Sequence, residues 1–299
     1  RSDLVTGVQT CALPISTFGG AIFLIPFTIL VLAYLAYDFS WQGLLFLLFV
    51  LGHAAIGFAD DYVKVRKTKE GLNPKQKTVL LVALQTLFII LYLFVLKDKI
   101  LFVLPFKLGT WEIQGGWKIL YGLFLLFYFY ACTNAVNITD GVDGLASTVS
   151  AVVRAFFGIT AIFVHYRGGY GSQNMNVFVS FALAGCLLGF LLFNWHKAKV
   201  FMGDFGSLAL GAAISAIFLQ EYMPLAFLLG GIIYVIEIMS VFIQVQYFRH
   251  TGGKRIFLMS PIHHHYELKG WAEEKIVIIF SLVTLVGCLL AGLVFWPGF

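Results

Sequence analysis

WQGLLFLLFVLGHAAIGFADDYVKVR occupies residues 41–66, and its reading decides the fold. The part from 41 to 59 is almost wholly apolar, Asp60 and Asp61 then stand side by side, and a basic run begins at Lys64. About 20 mostly apolar residues suffice for a helix to cross a bilayer. Outward from this stretch, comparable runs recur at roughly 19–37, 78–96, 118–135, 147–165, 175–194, 205–222, 224–247 and 275–296, which makes nine expected spans. The whole chain of 299 residues is 60% hydrophobic and only 12% charged. Its mean hydropathy is +0.90. A soluble domain is nearer half apolar and a quarter charged. The reading is an all-α polytopic membrane protein, with no soluble segment large enough to hold a core of its own.

Residues 1–16 form neither a span nor a signal peptide, because no basic region leads into a continuous apolar run. They are set apart as a leader foreign to the fold, and 17–299 is read as a single membrane domain. The cysteines Cys11, Cys132, Cys186 and Cys288 have no paired spacing and read as small apolar residues. Lys and Arg set the orientation. Thirteen of them flank the spans at 60–77, 195–204 and 248–275, against five at 97–118 and 166–174. The richer face is therefore expected in the cytoplasm. The segment 97–117, with KLGTWEIQGGW, is expected on the opposite side as a small hairpin.

An ionised side chain in the middle of a bilayer costs about 2.5–3.5 kcal/mol even on lenient scales, so acids among apolar spans are functional candidates. Five of them gather on the basic face: Asp60, Asp61, Asp140, Asp143 and Asp204. In FADDYVKVRKTKEGLNPKQK (58–77) the adjacent carboxylates repel, and a divalent cation, a shared proton or a lysine such as Lys77 would relieve them. In NAVNITDGVDGLAS (134–147) Asn137, Asp140 and Asp143 recur every third residue, and the glycines after each acid allow close approach. Capping of the next helix explains Asp143 alone. In NWHKAKVFMGDFGSLALG (194–211) Asp204 either caps a helix or reaches out of a tight turn to an ion such as Mg²⁺. In MSPIHHHYELKGWAEEK (259–275) three histidines are consecutive. On a helix they splay by about 100° each, so they cannot share one ion easily. Contacts of one or two of them to phosphate oxygens are the better reading. Acids for a hard cation beside His, Lys and Arg for phosphate suit metal-assisted phosphate chemistry. No Walker A loop and no dinucleotide fingerprint is present.

These four motifs, in this order and spacing, resemble the polyprenyl-phosphate N-acetylhexosamine-1-phosphate transferases over essentially 17–299. The histidine loop is similar to that of the branch acting on a muramoyl peptide, and differs from the loop of the sister enzymes that move GlcNAc-1-phosphate. The resemblance implies a ten-helix bacterial inner-membrane protein that dimerises, uses Mg²⁺ and has its active site on the cytoplasmic face. It implies UDP-MurNAc-pentapeptide and undecaprenyl phosphate as substrates, with lipid I and UMP as products, and no nucleic-acid partner. Carried over by motif position, Asp60, Asp61, Asp204 and His263 would be catalytic, with Asp204 holding the metal. Thr17, Lys77, Asn137, Asp140, Asp143, Asn194, Phe201, Gln244, His264 and His265 would meet the substrates. The family's first helix, and the lysine and Thr-Pro-Thr-Met-Gly-Gly stretch after it, are represented here only by Ser16-Thr17-Phe18-Gly19-Gly20. A cation transporter, the rival of another class, would carry its acids at mid-span, where only Glu237 lies.

Overall fold

The computed structural model describes residues 18–66, 71–96, 100–166 and 174–295. The leader 1–16, Thr17 and the loop cations Lys67, Lys69, Lys97, Lys99 and Arg167 lie outside the described residues. In chain order the helices are α1 (Ala21–Tyr37), α2 (Trp41–Arg66), α3 (Pro74–Ile90), α4 (Trp117–Thr139), α5 (Leu145–Tyr166) and α6 (Asn174–Asn194). They continue with α7 (Gly203–Gln220), α8 (Phe227–Gly230), α9 (Ile232–His250), α10 (Ile262–Leu268) and α11 (Glu273–Phe295). Among the described residues, eight helices are long and apolar enough to cross a membrane, and α1 is apolar but shorter, with 17 residues. α3 is one of the eight because a π-helical segment (Leu91–Leu96) extends it to 23 residues. The chain is a multi-pass, all-α membrane protein, and helix occupies most of each expected span.

Two boundaries depart from the expected spans. The acids at 60 and 61 do not close a helix, because α2 runs on to Arg66. Lys64 explains the continuation: it stands three and four residues after the two acids, on the same helix face. The expected span at 224–247 is interrupted. Pro224 opens a 3-10 turn (Pro224–Ala226), and Gly231 separates α8 from α9. A proline lacks the amide a continuing helix needs. The expected hairpin is present as β1 (Ile100–Val103) and β2 (Thr110–Ile113), antiparallel, with Ile100 opposite Ile113. Ile100, Val103 and Ile113 face inward, and Phe106 N–H donates to the Val294 carbonyl of α11 at 2.8 Å.

At the centre lies α7, buried at every residue from Gly206 to Leu219. A helix that is apolar all round belongs in the interior. Its sequence, GDFGSLALGAAISAIFLQ, is rich in small residues, which let neighbouring backbones approach closely. A Cβ on Gly57 of α2 would lie 2.1 Å from the Asp204 carbonyl oxygen, and one on Gly211 would lie 2.8 Å from Cα of Thr133 in α4. These crossings bring one end of α7 against α2 and α4, which is where the acids of the first three motifs meet.

At the opposite end of α7, Arg154 of α5 is wholly buried. Its Nη2 donates to Ser180 Oγ at 2.7 Å and to Glu221 Oε1 at 2.8 Å, and its guanidinium lies 5.1 Å from the Phe218 ring centroid. Removing one partner strands a buried charge, a loss of about 3–5 kcal/mol, whereas replacing both with apolar residues of similar size is close to neutral. Arg154→Leu is therefore expected to destabilise the protein by that amount in denaturant titrations in micelles, and Arg154→Met with Glu221→Leu to recover most of it. A single variant as stable as the parent would remove this pair from the supports of the fold.

Candidate active site where three helices meet

The last turns of α2 carry Asp60, Asp61 and Lys64, and the first turn of α3 carries Lys77. That turn is set by Asn73, whose side chain accepts the Lys75 amide, with Pro74 at the first helical position. Asn137 comes from the end of α4 and Asp204 from the first turn of α7. Asp60 and Asp61 are almost fully buried, at 2% and 1% exposure. Lys64 Nζ joins all three acids, at 2.6 Å from Asp60 Oδ2, 3.3 Å from Asp61 Oδ1 and 2.7 Å from Asp204 Oδ2. Lys77 Nζ lies 2.6 Å from the same Asp204 oxygen and 3.6 Å from Asp60 Oδ2. Asn137 Nδ2 donates to Asp204 Oδ1 and to Ser207 Oγ, each at 2.7 Å. The Phe205 amide donates to Asp61 Oδ2 at 2.9 Å, and the Leu72 amide to Asp60 Oδ1 at 2.8 Å.

The capping reading of Asp204 therefore fails. The N-cap of α7 is Met202 without a side-chain bond, and the Asp204 carboxylate turns to Lys64, Lys77 and Asn137 instead. The pairwise repulsion expected of Asp60 and Asp61 is relieved by lysines in this structure. Three carboxylates against two ammonium groups leave a charge of −3 + 2 = −1. Oxygens of the three acids lie within 4.8 Å of one another and could hold a metal ion. An all-oxygen donor set with residual negative charge fits a hard divalent cation.

Beside this cluster the turn from α4 to α5 bears Asp140 and Asp143. The Asp143 carboxylate accepts the Ala198 amide at 2.8 Å, so it ties this turn to the loop before α7 rather than capping α5 alone. His196 Nδ1 lies 3.9 Å from Asp143 and 3.7 Å from Glu273, and these three form a second group that could hold a cation.

The profile of glycosyl transferase family 4 matches residues 43–221, which covers the segment from α2 to the end of α7. The chain is 44% identical over 276 residues to the phospho-N-acetylmuramoyl-pentapeptide-transferase of Acetivibrio thermocellus, covering 92% of this chain and 79% of that one. It is 44% identical to the protein of that name from Clostridium perfringens strain 13, with 92% and 82% covered. For Listeria innocua the identity is 41% over 285 residues, with 92% and 82% covered. The chain belongs to glycosyl transferase family 4.

In this family 4 transferase the structure gathers Asp60, Asp61, Lys77, Asn137 and Asp204 directly, and sets Asp140 in their field. Burial, then the charges of Asp204, Asp61 and Asp143, hold the Asp140 carboxyl well above the usual carboxylate range. Two of the expected substrate contacts are engaged with the backbone. Asn194 accepts from Ser147 Oγ at 3.1 Å and donates to the Val200 carbonyl at 3.0 Å. Gln244 receives the Ile256 and Phe257 amides at 3.1 and 3.0 Å and donates to the Phe257 carbonyl at 2.9 Å. Each clamps a loop that borders the site. Phe201, 38% exposed, presents its ring at the surface of the loop that leads to Asp204.

The three histidines lie on α10, each with a partner of its own, although the His263 and His264 rings stay close, their centroids 4.2 Å apart. His263 is wholly buried, with Nδ1 3.0 Å from Glu237 Oε2. His264 meets Glu267, and His265 Nδ1 accepts the Leu258 amide at 3.0 Å. Sequence reasoning missed Lys64 as a site residue, because it reads as one more cation in a basic loop. Its spacing of three and four from Asp61 and Asp60 was the available signal.

Two outcomes are expected. Lys64→Met leaves three clustered carboxylates with a single ammonium group, and turnover should fall on the order of 100-fold in a product-release assay. For Asp140, the fold favours the protonated acid. The resulting destabilisation is absent below the ordinary value of 3.8 and grows as pH rises towards neutrality. Asp140→Asn should therefore melt above the parent near pH 7 in metal-free buffer, the gap closing as pH falls towards about 4.

Proposed function

We propose that this transferase moves phospho-MurNAc-pentapeptide from UDP-MurNAc-pentapeptide to undecaprenyl phosphate, giving lipid I and UMP, at the cytoplasmic face of a bacterial inner membrane. The observation that carries this reading is the convergence of Asp60, Asp61 and Asp204 with Lys64 and Lys77 at one end of a bundle of membrane helices. A lipid-anchored phosphate and a water-soluble nucleotide can meet only at such an end. The names of the relatives support the donor. The orientation rests on the basic residues, thirteen against five, which put the carboxylate end in the cytoplasm. A homodimer is the assembly the family resemblance implies.

In the reaction, a phosphate oxygen of the lipid acceptor forms a bond to the β-phosphorus of the donor. The bond from that phosphorus to the bridging oxygen breaks, and UMP departs with the electron pair. Such transfers depend mainly on positioning and on charge stabilisation. Lys64 and Lys77 supply positive charge next to the carboxylates, and Asn137 holds the rotamer of Asp204. Asp60, fixed by the Leu72 amide, orients the acceptor phosphate in this reading. Asp204, with Asp60 and Asp61, would hold Mg²⁺, which when bound neutralises the pyrophosphate.

The test is UMP release by the purified protein in lipid micelles, with UDP-MurNAc-pentapeptide or UDP-GlcNAc, before and after chelation. Release from the muramoyl donor is expected, lost with EDTA and restored by Mg²⁺. Release from UDP-GlcNAc alone would overturn the donor assignment in favour of the sister reaction. Asp204→Asn should abolish turnover, and an active variant would sink the metal-binding role.

A further inference from the structure

Glu237 is the acid that the apolar pattern explains least, and the carboxylate cluster does not use it. It lies within α9, wholly buried. Its carboxylate approaches His263 Nδ1 at 3.0 Å, and His263 is wholly buried too. The approach is poorly aligned, so both carboxylate oxygens and both ring nitrogens are without a well-directed hydrogen bond. An ionisable pair with four such atoms is a costly thing to bury, and its retention calls for a task. The far side of the imidazole shows what that task is. A Cβ on Gly141 would sit 2.4 Å from His263 Nε2, so the ring presses against the Asp140–Asp143 turn at the one residue that lacks a side chain.

We propose that Glu237 is a positioning residue for the transfer reaction: through His263 it sets the Asp140–Asp143 turn that faces the nucleotide donor. The inference rests on the transferase reading above. The turn is held at two points. The Ala198 amide holds Asp143 at 2.8 Å, and the imidazole bears on Gly141 from the α10 side. Glu237 selects the ring orientation, because its carboxylate attracts an N–H on Nδ1 and leaves Nε2 towards the turn. With that acceptor gone the ring is free to rotate, the turn loses its support, and Asp140 no longer keeps its place beside Asn137 and Asp204. His263, sealed from water, acts in this proposal by positioning as well.

The experiment measures UMP release by the full-length protein in micelles, varying each substrate in turn, with thermal unfolding recorded on the same samples. Glu237→Leu should raise KM for UDP-MurNAc-pentapeptide at least tenfold and leave KM for undecaprenyl phosphate within about twofold. Glu237→Gln retains an oxygen acceptor and should bring the donor KM back to within about threefold of the parent. Gly141→Ala pushes on the ring without altering α9 and should reproduce the donor-specific defect, which keeps the test decisive if Glu237→Leu does not fold. A folded Glu237→Leu protein with parental donor KM would overturn the proposal. So would equal losses for both substrates in step with a lowered melting temperature, since that is what a purely structural residue gives. If the parent protein itself releases no UMP from this donor, the transferase reading has failed instead.

Discussion

The rest of the structure depends on the close crossing of α2 and α7 at Gly57. With no side chain there, the α7 backbone reaches α2 so nearly that a methyl group would overlap the Asp204 carbonyl. That contact places Asp204 within reach of Lys64, and the neighbouring Phe205 amide within reach of Asp61, 144 positions earlier in the chain. A central helix of small residues makes this possible, because only such a helix can be surrounded closely on every side. The acid cluster is thus a consequence of packing as much as of chemistry.

Among the described residues, buried charge is confined to a few sites where a partner stands beside it. In the carboxylate cluster two lysines nearly balance three acids, so the structure is stable without excess charge and still has a net −1 for a divalent cation to meet. Arg154 with Glu221 closes the opposite end of α7 by direct ion pairing. Glu237 with His263 is less well satisfied and lies next to the turn that carries Asp140. The least satisfied pair being the one adjacent to the site is the pattern expected where polarity is kept for function rather than for stability.

Much of the site was legible because membrane chains spend few charges, so each acid stands out against apolar spans. Asp60, Asp61 and Asp204 were found in this way, Asn137 by its spacing from Asp140 and Asp143, and the four do converge. Lys64 was obscured by its basic neighbours, since a cation that belongs to an active site and one that anchors a loop look alike in sequence. Asn194 and Gln244 show the reverse difficulty. Their amides serve loop backbones here, and a residue type alone does not reveal whether its hydrogen bonds point to a ligand or to the chain itself.

By itself the sequence determined the helical, membrane-spanning class, the position of nearly every helix, the hairpin and the family of the chain. Apolar runs and motif spacing are local properties, and the bilayer leaves a backbone few alternatives to helix. Only the tertiary structure decided which helix is central, which lysine joins the acids, and that His263 faces Glu237 on one side and Gly141 on the other. Those are matters of which side chains meet across helices far apart in the chain, and helix rotation and crossing, which no local pattern records, settle them.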